Sequence, residues 1–273
     1  MGASLSPKEG GSDDQIVHSS GAGGATASKA SFELNDEEIK AQVRHLATPA
    51  LIEMVLISFV GVADMIMVGR IGPAAIAAVG LTNQPMFFAQ GVFQALNVGT
   101  TALVARFFGA DEKKSARDTA GQSLVITFLL GIIVSALGYG AAPWVIKAMG
   151  AEPDVLPLGI AYMRIVVWGF LFNAISMVCS SILRGAGDTR LPMAVNLTAN
   201  LVNVVGNYLL IYGHLGLPRM GIAGAAVATA LSHVVACTLF LIVLVTGRSV
   251  IQVRITRKFR PNREILGRGY NIG

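Results

Sequence analysis

The sequence predicts an all-α membrane protein, a bundle of six transmembrane helices with both chain ends on the cytoplasmic side. Three observations carry this. The 273 residues are 53% hydrophobic and only 14% charged, whereas soluble chains carry about 25% charged residues. The apolar residues gather into six segments, roughly 46–68, 74–106, 119–141, 155–183, 190–212 and 221–247. Each is long enough for the ~20 residues a helix needs to cross a bilayer. Finally, Lys and Arg are unevenly shared between the two sides that six alternating spans define. One side holds Lys40, Arg44, Arg106, Lys113, Lys114, Arg117, Arg184, Arg190, Arg248, Arg254, Arg257, Lys258, Arg260 and Arg263. The other holds Arg70, Lys147, Arg164 and Arg219. The richer side is the cytoplasmic one, which places a multi-pass protein in the inner or plasma membrane.

The elements follow in chain order. Residues 1–34 are rich in Gly, Ala, Ser and Thr and carry no apolar period, so they are expected to be a disordered tail. Asn35 can cap a helix whose first turn holds Asp36, Glu37 and Glu38, and Ile39, Val43 and Leu46 then recur on one face. That pattern suggests a short amphipathic helix at the membrane surface, leading into the first span. The six-helix lobe covers 35–247. Its loops are expected at Gly72-Pro73, at Gly185-Ala186-Gly187 and at Leu217-Pro218, where glycine and proline break the apolar runs. The second segment is too short for two spans and a turn, so it reads as one long helix of about 50 Å. Residues 248–273 form a basic juxtamembrane segment suited to anionic lipid.

Several function classes are excluded by what the chain lacks. There is no G-x-x-x-x-G-K-[ST] phosphate loop, no H-E-x-x-H or Cys/His cluster, and no Gly-x-Ser-x-Gly elbow. Cys179 and Cys237 lie inside apolar runs and read as small packed thiols. No enzyme, no resident cofactor and no nucleic-acid partner is expected. The partners implied are the lipid bilayer and small organic molecules.

The polar residues inside the spans carry the functional signal, because an ionisable group in hydrocarbon is costly and is kept for a reason. The first span holds Glu53 and Asp64, eleven residues apart and hence within about 20° of one face. Asp64 lies deep in its span and is the candidate functional acid. Glu53, near the cytoplasmic end, fits pairing with a basic neighbour as well as it fits function. The fifth span carries Asn196, Asn200, Asn203 and Asn207 on one face. The second span repeats the pattern with Asn83, Gln90, Gln94, Asn97 and Thr101, and the fourth does so more weakly with Asn173, Ser176 and Ser180. Any one amide can simply hold helices together. Several stripes in one small bundle point instead to a polar, water-accessible cavity, and a buried acid without an ATPase points to transport driven by an ion gradient.

These residues resemble those of MATE (multidrug and toxic compound extrusion) transporters. The resemblance runs from about residue 45 to 265. It rests on Pro49 through Asp64-Met-Ile-Met-Val-Gly69 with Arg70-Ile-Gly72, then Ala78-Val-Gly80-Leu81 and Gly99 through Arg106 with Gly109-Ala110. Leu183-Arg-Gly-Ala-Gly-Asp-Thr-Arg190, the pair Asn203 and Asn207, and Gly221 through Thr229 complete it. The resemblance implies export of organic, often cationic, compounds in exchange for H⁺ or Na⁺, by two six-helix lobes around a central cavity. It makes Asp64 the coupling acid of the first lobe, with Asn203, Asn207 and Thr229 beside it and Pro49 permitting the first helix to bend. Asn200, Gln84 and Asn173 are further candidates to line the pocket, and Asp64 with Asn203 are the candidate Na⁺ ligands. Some family members carry an acid where this chain has Asn207, which leaves the choice between H⁺ and Na⁺ open.

Family members have twelve spans, so this chain corresponds to one lobe. The partner lobe is expected either in the same chain, beyond a truncation, or in a second copy. The alternatives from other classes are a non-transporting fragment or structural membrane subunit, and a flippase for lipid-linked precursors.

Overall fold

The computed structural model describes residues 36–246; for residues 36–46, 49 and 50 it describes the backbone only. The tail 1–34, the Asn35 cap and the segment 248–273 therefore lie outside the described residues. Contacts divide the chain into units 1–45 and 46–273, and everything below concerns the second.

Six helices follow one another, and no strand occurs among the described residues. They are α1 (Asp36–Gly69), α2 (Pro73–Gly109), α3 (Lys113–Ala148), α4 (Val155–Gly185), α5 (Arg190–Tyr212) and α6 (Ile222–Thr246). Three of their five connections fall at the expected glycine and proline positions. Gly72, in a conformation open to glycine alone (φ 142°), hands over to Pro73 at the start of α2, where a missing N–H costs nothing. Two boundaries differ from expectation. Helix α1 runs through Pro49 without a break. The third helix extends well beyond 119–141, taking in the polar turn around Lys113 and a proline, Pro143.

Five helices are long and apolar enough to cross a membrane, namely the 51–69 part of α1 together with α3, α4, α5 and α6. The second helix is the longest, with 37 residues or about 55 Å. It has no span-length stretch as apolar as theirs, because Asn83, Gln84, Gln90, Gln94 and Asn97 interrupt it.

The fourth helix is the centre of the bundle, with α2, α3 and α6 packed along it. Small residues let these helices approach, as expected where lipid supplies no hydrophobic drive for association. Gly169 faces Ala230 of α6 so closely that a Cβ there would lie 2.7 Å from the Ala230 α-carbon. Phe93 and Phe170 close the α2–α4 seam edge to face at 5.3 Å.

The first helix is attached differently. No other helix packs closely along it, and only 11% of its apolar stretch is buried. Leu51, Met54, Phe59 and Val62 point outward from it, as Phe88, Leu137 and Trp144 do from α2 and α3. A water-soluble surface would not leave that much apolar side chain exposed; hydrocarbon accepts it.

Candidate functional site

The polar stripes converge. A cavity of about 840 Å³ opens between α1, α2, α4, α5 and α6. Glu53 and Asp64 enter it from α1, and Gln90, Gln94, Asn97 and Thr101 from α2. Asn173, Ser176 and Ser180 line it from α4, Asn196, Asn200 and Asn203 from α5, and Thr229 from α6. The reason is geometric: each stripe repeats at helical spacing, so each helix can turn several of its polar side chains toward one shared space.

Asp64 is half-buried at one end of this cavity. The Asn207 Nδ2 donates to its Oδ1 at 2.6 Å. A carboxylate only accepts, so the Asn203 amide nitrogen faces it, 3.1 Å from both oxygens, while the Asn203 oxygen accepts from the Thr229 hydroxyl at 3.2 Å. A half-turn of that amide reverses every role. Its nitrogen then donates to Thr229 Oγ1 at 3.2 Å, its oxygen accepts from Asn207 at 3.3 Å, and Thr229 turns its hydrogen to the Ala225 carbonyl at 3.0 Å. In that orientation an oxygen confronts Asp64, which suits a protonated carboxyl or an intervening cation and nothing else.

No Lys, Arg or His pairs with Asp64 among the described residues. The Asn207 Oδ1 is buried and has no hydrogen-bond partner among the described residues. Carboxylate, amide and hydroxyl oxygens together form a hard-donor set fit for Na⁺, whereas no group of three His, Cys, Asp or Glu occurs among the described residues to hold a transition metal.

Glu53 contrasts with Asp64 at the other end of the cavity. The Arg184 Nη2 donates to both its oxygens, at 2.9 and 3.0 Å, and Asn196 Nδ2 donates to Oε1. Of the two readings the sequence left open, the structure shows the paired one.

Three residues are placed differently from expectation. Asn83, at the start of the α2 stripe, is exposed and does not line the cavity. Gln84 is exposed and lines a separate cleft with Gly72, Glu152 and Asp154, so it does not meet Asp64. It lies six residues before Gln90, about 120° around the helix. Asn207 is 1% exposed and sits behind Asp64 as a donor rather than on the cavity wall. Pro49 belongs to α1, and its side chain lies outside the described ones. The sequence reading also passed over His233, which lines the cavity one helical turn beyond Thr229. That i, i+4 spacing was the available signal.

A family model described as MatE matches residues 49–209, more than half of the chain. The chain belongs to the MatE family. Its relatives include the "Probable multidrug resistance protein NorM" of Thermotoga maritima, 34% identical over 85% of this chain and 51% of that one. The "Uncharacterized transporter YisQ" of Bacillus subtilis is 30% identical over 84% of this chain and 50% of that one. Among solved structures, a MOP superfamily transporter from Pyrococcus furiosus superimposes with a TM-score of 0.78 at 32% identity, over 85% of this chain and 50% of that one. An outward-facing multidrug resistance MATE family transporter gives 0.77 at 33%, over 84% and 50%. This MatE chain is thus a multi-pass membrane protein of a transporter family, not an enzyme family. It spans about half the length of the curated relatives it matches.

Proposed function

We propose that this chain is the first lobe of a cation-coupled antiporter that exports small organic compounds, many of them cationic, in exchange for H⁺ or Na⁺. One observation carries the reading: of the two carboxylates in the cavity, Asp64 pairs with no Lys, Arg or His among the described residues and is met by the Asn207 and Asn203 amides. An acid locked to an arginine cannot exchange its load, whereas one held by Asn207 and Asn203 can.

The bare carboxylate takes the Asn203 nitrogen. A proton or Na⁺ on Asp64 takes the Asn203 oxygen, with the Thr229 hydroxyl beside it as a further oxygen for a metal cation. A positively charged substrate and a loaded Asp64 are then mutually exclusive, which is what exchange requires. Asn200 and Asn173, on facing walls, supply hydrogen bonds that tolerate varied substrates, and both chain ends face the cytoplasm. A second six-helix lobe, in the same chain or from another copy, completes the substrate path.

The reading is tested by dye export from cells or proteoliposomes carrying the protein with its second lobe, under an imposed H⁺ or Na⁺ gradient. Asp64→Asn should insert normally and lose gradient-driven export. Undiminished export by that variant would remove Asp64 from the coupling step. Export that responds to Na⁺ at fixed pH identifies the ion as Na⁺, and export that responds only to pH identifies it as H⁺.

A further inference from the structure

Arg164 lies inside α4 with no acid to answer it. It is the ninth residue after Val155, where α4 begins, and Tyr139 is the ninth before Ala148, where α3 ends. Both therefore sit about 14 Å along their helices from the α3–α4 turn. With 31 residues, α4 is about 46 Å long, close to the ~40–45 Å of a bilayer with its headgroups. Arg164 is thus just inside the hydrocarbon layer, within reach of the phosphates for a side chain that snorkels.

The residue does not serve the transport cavity. It falls on the outward stripe of α4, where Pro157, Ala161 and Trp168 are exposed. Asn173, Ser176 and Ser180 line the cavity about 120–180° around the helix from it. A second lobe that completes the cavity would lie on their side of α4, not on that of Arg164.

The neighbours of Arg164 are aromatic. Its Cζ lies 5.1 Å from the centre of the Tyr139 ring, and Trp168 meets that ring edge to face at 6.3 Å. Tight packing of α3 on α4 holds the group together. The Ser135 Oγ donates to the Val167 carbonyl at 2.9 Å, and a Cβ on Gly138, next to Tyr139, would lie 3.1 Å from Val167. A ring face attracts a guanidinium but does not neutralise it. No Asp or Glu pairs with Arg164 among the described residues, and its Nε is buried there without a hydrogen-bond partner. Asp154 is ten residues back, about 15 Å, and lines the separate cleft with Gln84. A guanidinium keeps its charge in a protein, and an unanswered charge in hydrocarbon is costly.

We propose that Arg164, backed by Tyr139 and Trp168 on the outward seam of α3 and α4, binds the phosphate of an anionic phospholipid in the leaflet on the side of the α3–α4 turn. The guanidinium offers donors in one plane, which suits two oxygens of a phosphate. A zwitterionic lipid brings its own cation to its phosphate, so a headgroup of net negative charge is the one selected.

The chain's two tryptophans test this, since both are exposed and only one is at the site. Trp168 is one turn from Arg164, whereas Trp144, five residues past Tyr139, is turned about 140° away from it around α3. Full-length chains carrying Trp144→Phe or Trp168→Phe are reconstituted in liposomes, and their quenching by acyl-brominated phosphatidylglycerol and phosphatidylcholine is compared. Trp168 should favour phosphatidylglycerol about fivefold, the worth of one basic residue at an anionic lipid surface. Arg164→Gln should remove that preference, and Trp144 should show none. Should Arg164→Gln not insert, Arg164→Met, apolar and of similar length, takes its place. An equal response of Trp168 to the two lipids, the same preference at Trp144, or a preference that survives the loss of Arg164 overturns the proposal. So does a preference abolished by millimolar inorganic phosphate, because the site would then take free phosphate and not lipid.

Discussion

The Glu53–Arg184 pair makes an asymmetric prediction about stability. Glu53 is 8% exposed, while the Arg184 side chain is 42% exposed. Replacing Arg184 with Met therefore leaves a buried carboxylate with only the Asn196 amide, and removing one partner of a buried pair costs about 3–5 kcal/mol. Replacing Glu53 with Gln leaves a guanidinium that water already reaches, so the loss is that of the hydrogen bonds, about 1–2 kcal/mol. The expected order is Arg184→Met worse than Glu53→Gln by roughly 2 kcal/mol, more than a tenfold difference in the folded-to-unfolded ratio. The double variant should sit closer to Glu53→Gln than to the sum of the two, because with the charge gone there is nothing left unpaired. Unfolding in mixed micelles with rising SDS, followed by circular dichroism, measures all three. If Glu53→Gln costs as much as Arg184→Met, or if the costs simply add, burial of Glu53 is not what makes the pair matter.

Two further predictions follow from the packing and the cavity. Gly169→Val should destabilise the bundle by about 1–3 kcal/mol through overpacking, since the new Cβ would meet the Ala230 α-carbon at 2.7 Å. Ala230→Gly should rescue it only in part, because that α-carbon remains, and the same SDS titration reads both. Single cysteines at Asn173 and Asn200 should react rapidly with a water-soluble thiol reagent, and a cationic substrate should protect them. Cysteine at Asn207 should react slowly, since that residue is 1% exposed. Equal rates at 200 and 207 would contradict the placement of Asn207 behind Asp64.

The six segments, their turns and the polar stripes are all local signals. Apolar length specifies a span, glycine and proline specify a break, and residues at helical spacing share a face whatever lies opposite. Asp64 and the α5 amides were legible for this reason, and so in principle was His233, set four residues after Thr229. The misplacement of Gln84 was a matter of angle: its helix was right, and its face was 120° from that of Gln90.

What the sequence by itself determined is therefore which residues can stand together on one helix, and that several such faces demand a common polar space. Only the tertiary structure decided which faces meet. It joined Glu53 to Arg184, 131 residues away, and gave Asp64 amides but no cationic partner among the described residues, so two acids alike in type and on the same face of α1 came to differ. The physical reason is that a carboxylate's behaviour in a membrane is set by the charge and donors within about 3 Å of it, and for these two residues every such group outside α1 comes from another helix.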